Sequence, residues 1–197
     1  MRAPKGEAIM NIKGMVVMTL ALAVSAQAAG KIRVPAADQV VVYVHNDHAV
    51  VDTWTLLRAE DLAARMFARI GVAVKWCWGK SPRGDTEAID VSLVSGVPDQ
   101  VYPGALGDAT LSPHSAGRVS VFADRLKKAV DPHLLPTLLA HVLVHEITHV
   151  LEGMSGHSET GLMKAHWTGR DFTSMAHRPL EFAPVDVNMI HDRLAHR

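Results

Sequence analysis

His145-Glu146-Ile147-Thr148-His149 is the stretch on which the reading of this chain turns. On a helix, residues four apart are separated by ~400° of rotation and ~6 Å of rise, so both imidazoles leave the same face. Two ring nitrogens can then reach one ion at the ~2.0–2.1 Å of a zinc–nitrogen bond. Glu146 lies a third of a turn round, close enough to touch a water on that ion without binding the metal. Zinc lowers the pKa of such a water toward ~7, and a carboxylate beside it can take the proton as the water attacks a carbonyl. The spacing offers a Lewis acid, a nucleophile and a base.

The preceding residues supply the helix. Asp131-Pro132 is a cap followed by proline at a first helical position, and Leu134, Leu135, Leu138, Leu139, Val142 and Leu143 carry an apolar pattern into the motif. Pro136 delays the regular helix by a turn. His141 shares the face of the two motif histidines, but two turns separate it from His149, ~12 Å, so it is expected to pack rather than to bind the same ion.

Downstream, Gly153 should end the helix in a left-handed turn. His157 follows within the ~13 Å that four extended residues cover, and Gly161-Leu162-Met163 comes next. A zinc-binding helix, a glycine, a third histidine and a turn carrying methionine together resemble the metzincin superfamily of metallopeptidases. The resemblance implies that His145, His149 and His157 are the zinc ligands, that Glu146 is the general base and that Met163 forms the floor beneath the metal. It extends to the preceding strand–helix–strand–strand order and so spans most of residues 40–195. Gly153 comes four positions after His149 and His157 eight positions after it, against three and six in that superfamily, so a longer last turn and loop are required here. Glu159 is the alternative third ligand, with Glu152 and His166 behind it. Some metzincins place a tyrosine after the methionine; here His166-Trp167 follows, and the only tyrosines are Tyr43 and Tyr102.

The remaining chain reads as one α+β domain of the zincin or metzincin kind. A mixed, twisted sheet is expected, packed by helices that include the active-site helix and a C-terminal one. Val40–Val44 is a strand, a helix follows from Asp52 with Trp54, Leu57, Leu62, Met66, Phe67 and Ile70 on its apolar side, and Gly71 closes it. Val72–Trp78 and Ile89–Val94 are further strands, and the strand–helix–strand order predicts parallel pairing by a right-handed crossover. Residues 96–118, rich in Gly, Pro and Ser, read as a long surface loop, and Val119–Phe122 as a half-exposed edge strand. Pro184–Leu194 reads as a final helix.

Composition narrows the function. The 197 residues carry 20 Lys plus Arg against 20 Asp plus Glu, which supplies no general attraction for nucleic acid. Twelve histidines are an excess that favours a metal site. Lys13, the apolar run Met15–Val24 and the small residues Ala26-Gln27-Ala28 have the layout of a signal peptide, so residues 1–28 are expected to be removed and 29–197 to form the mature domain. The run is shorter than the ~20 apolar residues of a membrane span, so no stable anchor should remain. A secreted or periplasmic location follows. The lone Cys77 lies in the apolar Trp76-Cys77-Trp78 and is read as packing rather than as a nucleophile. With little chain before Val40, no large inhibitory propeptide is expected.

Two functions fit. One is an exported zinc metalloendopeptidase with one catalytic Zn2+ and a polypeptide substrate. The other is a non-catalytic, zinc-stabilised binding module of the cell envelope or exterior, and the presence of Glu146 between the two histidines argues for the first.

Overall fold

The computed structural model describes residues 38–196, apart from 97, 99, 100 and 112–116. The signal-peptide reading of residues 1–28 lies outside them. In β1 (Asp38–His45) Val40, Val42 and Val44 are buried while Val41 and Tyr43 are half-buried, the period of two that a strand requires. Asp52 caps α1 (Thr53–Ala68), its carboxylate accepting from Thr55 N at 2.9 Å. The helix stops at Ala68, and Gly71 (φ 80°) turns the chain into β2 (Val72–Trp78). Trp54 and Leu57, expected on the inner face, are instead exposed at 68% and 44%. Leu56, Ala59, Ala63, Met66 and Phe67 are the α1 residues that fill the core.

β1 pairs in parallel with β2 on one side and with β3 (Ile89–Val94) on the other. The region read as one long loop holds another strand, β4 (Gly107–Thr110), and β5 begins at Gly117 and runs to Phe122. The sheet order is β2-β1-β3-β5-β4, with β4 alone antiparallel. β5 is thus internal, and the edge strand beside the site is β4. Its sequence, Gly-Asp-Ala-Thr, carries no apolar run to announce it.

Two short helices were also not anticipated, α2 (Ala123–Ala129) and α4 (Gly169–His177). A single 3-10 turn at Pro132–Leu134 precedes α3 (Leu135–Glu152), as the placement of Pro136 requires. Gly153 ends α3 in the left-handed conformation (φ 69°). The C-terminal helix α5 occupies Pro184–Leu194. The five-stranded mixed sheet and five helices bear out the expected mixture of elements. α3 packs against α1 and α5 and beneath β4 and β5, which puts the motif under the sheet edge.

Candidate metal centre

α3 is apolar on nearly every side, and Leu138, Leu139, Leu143, Val144, Ile147 and Leu151 are all sealed in the core. By length and composition Pro132–Glu152 could cross a membrane, but most of it is buried inside the domain. A helix enclosed in this way carries its polar residues inward too. His145 and Glu146 are each 8% exposed and His149 is 6% exposed, all three opening onto one cleft of about 670 Å³.

After Gly153 the chain turns back, and the exposed His157 meets the two helical histidines. One ring nitrogen from each of His145, His149 and His157 lies within 4.8 Å of the others. Among the described residues no other set of three His, Cys, Asp or Glu side chains converges this way. Glu159 is exposed and stands outside the group, as do Glu152 and His166. Met163 is fully buried in the same core.

Backbone carbonyls orient both helical imidazoles. His145 Nδ1 donates to Leu162 O at 3.0 Å and His149 Nδ1 to Met154 O at 3.2 Å, since a carbonyl can only accept. Leu162 O also accepts from Trp167 Nε1 at 3.0 Å, and the His145 ring meets the Trp167 ring edge-on. Burial and the neighbouring histidines push His145 down to about 4, with the Leu162 bond pulling only partly the other way. Burial and His157 lower His149 as well, and burial and His166 lower His157. The rings are therefore neutral near pH 7, with both helical Nε2 atoms as lone-pair acceptors.

Those two acceptors face each other at 3.1 Å. Two lone pairs so placed repel unless a proton or a cation lies between them. Burial opposes the proton. Two ligands of a tetrahedral zinc at ~2.0–2.1 Å stand roughly 3.4 Å apart, close to this separation. The three histidines therefore fit a zinc ion, and the carbonyl bonds on Nδ1 are the support such ligands need.

Glu146 has no place in the triad. Burial, assisted by the charge of Asp108, raises its carboxyl to about 8. Gly107 of β4 lies so close that an added Cβ would sit 2.7 Å from Glu146 Cγ and 2.9 Å from Oε1. The rest of the cleft is mixed: Val142, Trp167 and Phe172 line it together with Tyr102, Asp108 and Lys164, the last paired with Asp171 at 2.7 Å. His166 lines the cleft, and its ring lies 5.7 Å from that of Tyr102 between centroids.

His141 is fully buried, donating from Nδ1 to Thr137 O at 2.7 Å and accepting from Leu180 N at 3.0 Å. It is a packing residue, as its distance along the helix required. Cys77 is half-buried in β2. The supporting carbonyls and Gly107 escaped the sequence reading; only the Gly161-Leu162-Met163 turn hinted at a backbone held close to the histidines.

This arrangement defines a class of architecture, a mixed sheet whose antiparallel edge strand lies over a helix bearing two histidines. The structure resembles archaemetzincin from Methanopyrus kandleri at a TM-score of 0.55 and 15% identity, over 82% of this chain and 99% of that one. A chain of the GM1-bound ECX AB5 holotoxin also matches, at TM-score 0.42, 12% identity and 79% and 80% coverage, too distant to bear on the fold. No protein-family model and no curated protein matches the sequence.

Proposed function

We propose that this protein is an exported zinc-dependent metallopeptidase, with His145, His149 and His157 as ligands and Glu146 as general base. The observation that carries the reading is the pair of buried Nε2 lone pairs facing each other at 3.1 Å, with a third imidazole beside them and an open cleft alongside. The archaemetzincin-like fold is consistent with it. When bound, zinc would polarise a substrate carbonyl and acidify an attacking water.

The chain's own residues do the rest. Glu146 accepts a proton from the attacking water and passes it to the leaving nitrogen as the C–N bond breaks. A carboxyl that burial holds near 8 is poised for a group that both takes and gives a proton near neutral pH. An extended polypeptide would pair along β4, the edge strand over Glu146, rather than along β5. Three converging ligands beside a cleft favour this reading over a closed, four-ligand structural site.

Glu146→Gln keeps the shape and loses the base. Zinc content measured by metal analysis should match the parent, while hydrolysis of a broad peptide library falls by the ~10²–10⁴-fold of a lost acid–base group. Full activity in the zinc-loaded variant would remove the mechanism. A parent that holds zinc and cleaves nothing would favour the binding module. Export is proposed on residues 1–28 alone; N-terminal sequencing of protein recovered outside the cytoplasm should begin near Ala29, and retention of Met15–Val24 would refute cleavage.

A further inference from the structure

His157 is the least supported of the three candidate ligands. It is exposed and it sits on a loop longer than the superfamily pattern requires. Its neighbour Ser158, however, is fastened twice. Ser158 N donates to Met163 O at 2.8 Å, and Ser158 Oγ donates to Asp186 Oδ1.

Asp186 belongs to the first turn of α5, is 3% exposed, and also accepts from Ala183 N at 3.0 Å through Oδ2. The same C-terminal region touches the loop at two further points. Leu162 N donates to Glu181 O at 2.8 Å, and the Arg193 guanidinium of α5 lies 3.3 Å from where a Cβ on Gly153 would stand. Ile190, fully buried, anchors α5 to the core.

We infer that α5 is a working part of the metal site: the Ser158–Asp186 hydrogen bond holds the His157 loop in its binding position, so that zinc binding and the docking of α5 are coupled. The inference rests on the reading of His145, His149 and His157 as ligands. A loop already ordered loses less conformational freedom when its histidine binds, and that saving appears as affinity. Coupling is reciprocal, so the ion must in turn hold α5. Ser158 and Asp186 are positioning residues, acting through His157.

Ser158→Ala removes one oxygen from a half-buried position, a change the fold should tolerate. Zinc affinity of the mature chain, measured by competition with a chromophoric chelator, should fall by the ~10–100-fold typical of a lost supporting hydrogen bond. Ser158→Thr keeps the hydroxyl and should stay near the parent. In a His157→Ala background, Ser158→Ala should cost nothing further, an outcome that a general loss of stability would not produce. Hydrogen exchange over residues 184–194 should slow when zinc is added to the parent and respond less in Ser158→Ala. Parent-like zinc affinity in Ser158→Ala, or an equal loss with and without His157, would overturn the coupling while leaving the ligands in place. A folded parent that takes up no zinc would instead bring down the metal reading itself.

Discussion

Gly107→Ala tests the placement of Glu146 without touching His145, His149 or His157. Gly107 does not have a positive φ, so alanine is conformationally acceptable there and should gain the ~0.4–1 kcal/mol that a stiffer unfolded chain provides. The added methyl, however, would stand 2.7 Å from Glu146 Cγ, 2.9 Å from Oε1 and 3.0 Å from Cδ. Ordinary carbon contacts begin near ~3.5 Å, so roughly 0.8 Å must be found between a strand hydrogen-bonded to β5 and a carboxylate held in a buried helix. Overpacking of that size costs typically ~1–3 kcal/mol. A displacement near 1 Å at a reacting group can cost on the order of 10²-fold in rate.

Glu146→Ala removes all three of those atoms. Gly107→Ala should therefore lower Tm in the parent and leave it unchanged or raise it in the Glu146→Ala background, both measured on metal-free protein by thermal unfolding. The zinc-loaded single variant should keep its metal and lose kcat. The same destabilisation in both backgrounds would show that the methyl meets something other than Glu146, and would refute the close packing of β4 against its side chain.

Two further outcomes follow from the site and the core. Chelator competition should show a sharp loss of zinc affinity in His157→Ala and little change in Glu159→Ala; the reverse pattern would transfer the third ligand to Glu159. Glu60, 5% exposed with Oε1 lacking a hydrogen-bond partner, is raised above the ordinary 4.5 by burial, opposed only by the Trp78 indole. The folded state therefore holds this proton more tightly than the unfolded one, so stability declines as pH rises from the unfolded value through the folded one. Glu60→Gln should remove that decline and raise Tm at neutral pH, and identical Tm–pH profiles for parent and variant would contradict it.

The legible parts of this fold are those with a pattern in the local sequence. β1, β2 and β3 follow from short apolar stretches bounded by turn residues, α1 from helical spacing and α3 from its leucines. β4 is four residues with no apolar run, held by its pairing with β5, so its existence is a tertiary fact. Its absence from the reading moved the edge of the sheet one strand inward. Trp54 and Leu57 lie on the outer side of α1, away from the face that Leu56, Ala59, Ala63, Met66 and Phe67 bury, so their apolar character alone misassigned them. In the site, His145, Glu146 and His149 were legible because helix geometry alone places them. His157 required the resemblance, since loop geometry has no period. The Leu162 and Met154 carbonyls, the Gly107 gap and the Ser158–Asp186 bond join residues distant in sequence, and no local pattern encodes them.

The edge-on packing of Trp167 against His145, with ring centroids 5.4 Å apart, gives this protein an internal optical reporter. Of the four tryptophans, Trp76 and Trp78 lie on β2 and Trp54 on the helix beside it. β2 is separated from β4 by four strand spacings, ~19 Å at the usual inter-strand distance. A paramagnetic ion such as cobalt(II) held by the histidines would darken the Trp167 indole by short-range quenching and leave the β2 pair bright. Occupancy of the centre could then be followed in real time by emission, on unlabelled protein and without any substrate.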